Sequence, residues 1–255
     1  MINDQKLKTR VGELLDVLYQ KRFANLQKLT LTTLINKNPY LYRAIGVDDP
    51  AEFIDQLLAA RVSSSDETIF GNDFLEPLVI WSARESDQHG DTGRLVSVGA
   101  GAGQDVAIET ATAYLAISVK SGKNIFNSQS TKGQSTEFDA LQARLKKLNK
   151  QFRPIIGYGY GRKRPNLESP VEKLAGQAFW QLLTGEPDYY LRIARTIGVF
   201  AISHGEAYKN AFSLKKSQLL REFMLNFVSE SGEVMWDAVV TFNSSENRPR
   251  ALKKK

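Results

Sequence analysis

Apolar positions along the 255-residue chain change their period several times, and each change marks an element. Over the first third the spacing is helical. Val11, Leu14, Leu15, Leu18 and Tyr19 recur at helical intervals, and so do Phe53, Leu57 and Leu58 after a start signal at Asp48–Pro50. Between them, NKNPYLYRA reads as a break at Pro39. The run SSSDETIFGNDFLEPLVIWSA predicts a new helix with Ser65 as N-cap and Asp66 and Glu67 in its first turn. Phe70, Phe74, Leu78 and Trp81 line one face of it. Pro77 removes a donor and crowds the preceding turn, which predicts a kink near Asp73.

After a polar stretch at 82–93, read as a loop, three strand-like pieces follow: LVSV, DVAIET and YLAISVKSG. A Ser- and Gln-rich segment at 121–136 then gives way to the amphipathic helix EFDALQARLKKLNKQF. PIIGYGYG reads as a buried strand, and residues 170–240 as mainly helical. This order predicts an α/β fold, a mixed central sheet flanked by helices with helical additions at both ends. No internal repeat or low-complexity linker interrupts it. The expected organisation is one domain over 1–255: a helical N-terminal part (1–60), an α/β core (61–162), a helical C-terminal part (163–245) and a basic tail (246–255).

Composition narrows the classes. The 42% hydrophobic content excludes a disordered or collagen-like chain. The lack of cysteine excludes disulfides, a thiol nucleophile and a cysteine–zinc site. No apolar run approaches the roughly 18 residues of a membrane span, and the N-terminus lacks an apolar signal core, so a cytoplasmic protein is expected. The net charge of +6 is concentrated: ENRPRALKKK carries five basic side chains and one acid, leaving +2 for the other 245 residues. Overall charge is therefore a weak sign of nucleic-acid binding.

Few constellations can carry chemistry. VGAGAGQD has the glycines of a dinucleotide loop, but a strand and not a helix follows it, so it reads as a flexible hairpin. The two histidines, His89 and His204, lie in unrelated polar contexts, and no GxSxG elbow supports a hydrolytic triad. Asp105 and Lys120 are more informative. Asp105 begins one strand and Lys120 lies near the end of the next, so a hairpin brings both to one sheet edge. An aspartate there suits Mg²⁺, and a lysine can orient water and offset charge on a phosphate. This is the D-x(n)-[DE]-x-K pattern of metal-dependent nucleases, except that Ser118 stands at the acidic position. Another carboxylate must come from elsewhere. Glu67 is the first choice, with Glu137 and Glu76 as alternatives.

Longer segments carry a resemblance. NKNPYLYRA, SSSDETIFGNDFLE, QDVAIE with YLAISVKSG, YGYGR and GQAFWQLLTGE occur in the order found in PmeII-type type II restriction endonucleases, of the PD-(D/E)XK nuclease class. The resemblance spans roughly residues 36–243. It implies a Mg²⁺-dependent enzyme that cuts both strands of a specific DNA sequence. Asp105 matches the family's strand aspartate, Lys120 the lysine of its S-[IV]-K-S-G strand, Ser118 its serine, and Glu67 a glutamate of its S-S-S-[DE]-E-T helix start. The implied metal ligands are Asp105, Glu67 and the backbone carbonyl of Val119. Two departures stand out: KNIFNSQS replaces the family's segment after K-S-G, and Pro77 stands where a helix former is usual. Lys123, Asn127, Ser128, Gln129 and Arg162 are the candidate DNA contacts. Arg144, Lys146, Lys147, Lys150 and Arg153 read as basic positions of one helix and its exit, Tyr158 and Tyr160 as core on one strand face, and Phe179 and Trp180 as core on a helix that Gln177 begins. The expected partners are duplex DNA and a second copy in a homodimer, because palindromic sites match two-fold symmetry. The competing readings are a repair or recombination nuclease of the same fold and a non-catalytic DNA-binding module.

Overall fold

The chain is seen here as a computed structural model, which describes residues 1–87, 93–99, 103–121, 128–164, 166, 168–246 and 252. Its contacts divide it into two units, Met1–Leu18 with Ile69–Ala201 and Tyr19–Thr68 with Ile202–Lys255.

The sheet belongs to the first unit. Among the described residues it has five strands in chain order: β1 (Leu95–Val98), β2 (Val106–Glu109), β3 (Ala113–Lys120), β4 (Gln151–Tyr158) and β5 (Glu172–Ala175). The β1–β2 and β2–β3 pairs are antiparallel, whereas β3–β4 and β4–β5 are parallel. The expected mixed sheet flanked by helices is borne out. The three strand-like pieces read from the sequence are β1, β2 and β3. β1 and β2 pair antiparallel, and just past their paired ends the Gly99 N–H donates to the Asp105 carbonyl at 3.0 Å.

Alternation along β3 divides the interior. Leu115, Ile117 and Val119 join Val106, Ile108 and Ile155 in a core that also holds Leu7, Val11, Leu78, Val79 and Phe179. These come from the helices α1 (Asp4–Lys28), α5 (Glu76–Glu85) and α7 (Gln177–Thr184). Ala116 faces the other way, into a smaller cluster with Ile156, Tyr158, Phe138 and Leu141, the last two on α6 (Ser128–Leu145). Each unit of parallel sheet is thus covered on both faces, as parallel pairing requires.

The second unit is helical. The described helices include α2 (Leu31–Leu34), α3 (Pro39–Ala44), most of α4 (Pro50–Ile69), the later part of α8 (Tyr189–Phe227) and α9 (Trp236–Ser244). Its core is aromatic: Phe53 lies 5.2–5.3 Å from the rings of Tyr42, Phe223 and Trp236. Arg22 is held in the same unit by paired hydrogen bonds to Asp66 at 2.7 and 2.9 Å, 3.8 Å from the Tyr208 ring centre.

Several expectations are corrected. Ser65 is not an N-cap. The helix starts at Pro50, where the Asp49 carboxylate caps the Glu52 N–H at 2.7 Å, and it runs through the serines to Ile69; Ser65 instead accepts from Asn25. The kink near Asp73 takes the form of a π-helical turn, Phe70–Leu75, in which the Glu76 N–H reaches back to the Gly71 carbonyl. Widening by one residue is a physical answer to Pro77, whose ring would collide with the Asp73 carbonyl in a regular helix. The start of the 82–93 loop is helix: Ser82 and Ala83 are buried on α5, which ends at Glu85.

The amphipathic helix begins nine residues earlier than read, at Ser128, and ends earlier too, so that Gln151 and Phe152 enter β4. Lys146 and Lys147 lie in a short 3₁₀ turn. Lys150 and Arg153 are not on a solvated helix face; Lys150 pairs with Glu109 at 2.6 Å and Arg153 with Glu172 at 2.8 Å. β5 was not anticipated. Pro154 is accommodated in β4 because β5 pairing begins only at Ile155. Tyr158 is core, but Tyr160 lies beyond the strand end and is exposed. Phe179 and Trp180 are buried as expected.

Candidate active site

The antiparallel register decides which side chains meet. Val106 pairs with Ile117, so one step outward Asp105 stands across from Ser118. The Asp105 N–H extends the ladder by donating to the Ile117 carbonyl at 2.8 Å. Its carboxylate Oδ2 accepts from the Val119 N–H at 2.6 Å. Asp105 is half-buried and Ser118 fully buried. Two residues beyond Ser118 on the same face, Lys120 ends β3 half-exposed, its carbonyl accepting from the Gly159 N–H at 2.9 Å. Alternate residues of β3 turn their peptide groups to opposite neighbours. Lys120 therefore turns its carbonyl to β4, and Val119 turns its own to the β2 side, where the strand pairing has already ended.

Glu76 lies at the same end of the sheet. It begins α5 immediately after the π-turn. Gly71 in that turn packs near Ser121, and Leu75 packs against Gly159, so the turn lies at the C-terminal ends of β3 and β4. Burial pushes the Glu76 carboxyl above its ordinary range, the negative charges of Asp105 and Asp73 push it further, and Lys120 opposes them. Such coupling requires the four side chains to share one electrostatic neighbourhood.

The groups at this edge that could face a cation are oxygens only: the Asp105 and Glu76 carboxylates and the Val119 carbonyl. Among the described residues no group of three or more His, Cys, Asp or Glu side chains is placed to hold a metal ion. Two carboxylates fit a hard cation such as Mg²⁺, which keeps several waters and binds through one or two carboxylates plus substrate phosphate.

Of the other candidates, Glu137 is exposed on α6, its side chain against Gly103. Glu67 is exposed on α4 in the second unit, and the geometry above is that of the first unit alone. Arg162 is exposed in the segment after β4 with Lys163 and Arg164. Gln177 is exposed at the first turn of α7. Lys123 and Asn127 lie outside the described residues, as do the side chains of Ser128 and Gln129 and all of His89. His204 stacks on Tyr19 at 4.7 Å in the second unit.

Two features escaped the sequence reading. One is the π-turn that delivers Glu76. The other is Gln134 of α6, buried with both ends of its amide engaged: Nε2 donates to the Gly103 carbonyl at 2.7 Å, and Oε1 lies 3.0 Å from Ser118 Oγ.

No curated protein matches the chain. Residues 5–204 match the family described as Type II restriction endonuclease EcoO109I, a span that includes Asp105, Glu76, Lys120 and the whole sheet. The resemblance drawn from the sequence therefore holds at the level of type II restriction endonucleases, and the chain belongs to the Type II restriction endonuclease EcoO109I family.

Proposed function

We propose that the protein is a Mg²⁺-dependent restriction endonuclease that hydrolyses phosphodiester bonds in both strands of a specific duplex DNA sequence. The observation that carries this reading is the joint placement of Asp105, Glu76 and Lys120 at the open end of β3, with Glu76 responding to the charges of the other two. Asp105, Glu76 and the Val119 carbonyl would hold the ion. Bound there, Mg²⁺ supplies a Lewis acid for the scissile phosphate and a coordinated water of lowered pKa. Asp105 is aimed by the Val119 N–H, which fixes one carboxylate oxygen and leaves the other to face the site. Lys120 orients the attacking water and offsets charge that develops on the phosphate. Glu76 takes the place for which Glu67 was the first choice from the sequence.

The enzyme acts as a cytoplasmic homodimer in this reading, one subunit for each strand of a palindromic site. The whole chain is one endonuclease, its catalytic side chains all within the 61–162 core. Arg162, with Lys123, Asn127, Ser128 and Gln129, contacts DNA in this reading. The finer likeness to PmeII-type enzymes rests on the segments quoted above.

The test is to incubate the protein with long, methylation-free DNA of known sequence in Mg²⁺ or EDTA, beside a Lys120→Ala variant. Discrete fragments that need both Mg²⁺ and Lys120 are expected, and their ends map the site. Smearing identifies a nuclease without site specificity. Binding without cutting by the parent, retained in Lys120→Ala, identifies a DNA-binding module.

A further inference from the structure

Ser118 stands where the nuclease pattern has an acid, and its hydroxyl has one hydrogen to give. Two acceptors lie within reach: Gln134 Oε1 at 3.0 Å and Asp105 Oδ2 at 3.5 Å. The direction is settled from the far end. Gly103 offers Gln134 only a carbonyl, so the amide must present Nε2 there and Oε1 toward Ser118. An amide oxygen only accepts, so the Ser118 hydrogen goes to the shorter contact, Gln134. Asp105 then keeps the Val119 N–H as its bond on Oδ2.

The same amide bridges two pieces of chain just beyond the last ladder bond, which runs from the Asp105 N–H to the Ile117 carbonyl. Strand pairing between β2 and β3 ends at Val106 and Ile117. Gly103 lies two residues before Asp105 in a turn with φ of +82°, and a Cβ there would come within 2.6 Å of the Glu137 side chain and 2.9 Å of Gln134 Nε2. The turn thus lies directly on α6. Gln134 is 6% exposed and Ser118 1%, so water cannot replace either bond cheaply.

We infer that Gln134 is the positioning residue of the site: its side-chain amide clamps the Gly103 turn to Ser118 and so holds Asp105 against the Val119 N–H in the place from which it works. The inference rests on Asp105 acting as proposed above. Gln134 touches no reacting atom. It acts through the turn that carries Asp105, and loss of such supporting bonds typically costs about 10–100-fold in activity or metal affinity.

The test uses Gln134→Met, which keeps length but not hydrogen bonds, and Ser118→Ala, which removes only the donor at the other end. Both are first checked for a cooperative melt. Backbone amide exchange is then read at Val119, with Leu115 inside the β3 ladder as the internal reference. The expected result is Val119 exchange about tenfold faster or more in each variant with Leu115 unchanged, and kcat for DNA cleavage lowered about tenfold at unchanged KM. The double variant should be no worse than the poorer single one, because both break one link. Unchanged Val119 exchange overturns the inference, and so does a raised KM with kcat intact. If the parent cuts no DNA in Mg²⁺, the nuclease reading falls by itself, and the exchange data still decide whether Gln134 holds Asp105.

Discussion

Gly157 is the position at which packing behind the site is most exposed to a single methyl group. It lies on β4 opposite Val119, and a Cβ built there stands 2.5 Å from Cδ2 and Cζ of Phe179 and closer still to Cε2. Ordinary contact is 3.4–4 Å, so the ring would have to retreat by about 1 Å or more. It has nowhere to go. Phe179 is fully buried, and its neighbour Trp180 is tied by Nε1–H to the Gly159 carbonyl at 2.9 Å. Overpacking of this kind costs about 1–3 kcal/mol, and the loss of glycine's freedom in the unfolded chain returns about 0.4–1 kcal/mol. With so close an approach the cost falls at the upper end of that range, so Gly157→Ala should destabilise by about 2 kcal/mol net, which lowers Tm by about 4–8 °C for a chain of this size. Gly133→Ala on α6 makes the same chemical change with no atom within 4 Å and should leave Tm unchanged or raise it. Adding Phe179→Leu to Gly157→Ala should recover part of the loss, a non-additive outcome of contact between the two sites. Differential scanning fluorimetry suffices. Melting of Gly157→Ala within about 1 °C of the parent would refute the reasoning.

Three further outcomes follow from the same geometry. The Glu76 carboxyl is raised, first by burial and then by Asp105, so its protonated form favours the fold and that contribution fades as pH rises above the ordinary carboxylate range. Glu76→Gln should accordingly melt no lower than the parent in EDTA at neutral pH, while Mg²⁺ should raise the parent's Tm and leave the variant's almost unmoved; equal shifts would exclude Glu76 as a ligand. Burial pushes the Tyr189 phenol up to about 12, against the pull of its 2.8 Å bond with buried Ser82. Its folded value exceeds the ordinary 10.0, so its contribution is complete below pH 10 and is lost as pH rises toward 12. Denaturation by urea should show that loss in the parent and a shallower one in Tyr189→Phe, which should also lose about 1–2 kcal/mol at neutral pH. Arg162 and Arg164 are exposed after β4. If both contact phosphates, replacing them with alanine should reduce the salt slope of DNA binding by about 1.8, at about 0.9 for each, and an unchanged slope would remove them from the interface.

The hairpin that builds the site was legible because a two-residue period leaves little freedom. Once DVAIET and YLAISVKSG are strands joined by Ala111–Ala113, Asp105, Ser118 and Lys120 must share a face and an edge. Helix ends were harder. Ser65 looks like a cap, yet an uninterrupted stretch from Pro50 with its own Asp49 cap outweighs it. The start of α6 was concealed by its composition, since Gly133 and a run of Ser and Gln mimic a loop. One signal was present. Gln134 falls at helical spacing before Phe138, Leu141 and Leu145, so the buried stripe continues through a polar residue. A polar side chain on such a stripe marks a place where buried hydrogen bonds are made. β5 was hidden because EKLA pairs with its neighbour through the backbone while its charged side chains stay half-buried, Glu172 against Arg153. Glu76 was read only as an alternative, because nothing in the spacing announces a π-turn. Pro77 announces only that a regular helix cannot pass.

The departures from the common pattern share one electrostatic logic. An acid at position 118 would stand opposite Asp105, fully buried, at a sheet edge where the Glu76 carboxyl is already raised by burial and by Asp105. Three carboxylates so close would each raise the others, and the metal-free protein would have to bury charge without a partner. Serine avoids this by turning its hydrogen to Gln134, whose amide carries no charge and can satisfy both Ser118 and the Gly103 carbonyl. In the proposed site the acid comes instead from α5, where the Glu76 side chain is only half-buried and Lys120 opposes the rise of its carboxyl. The π-turn then has a use beyond relieving Pro77. An extra residue per turn advances the helix by roughly 100°, so a turn of regular helix in its place would present Glu76 in another direction. Pro77, which departs from the family's helix former, and Ser118, which stands in the acidic position, fit one reading: in the proposed site the second carboxylate comes from a helix rather than the strand, and the π-turn sets that helix's phase.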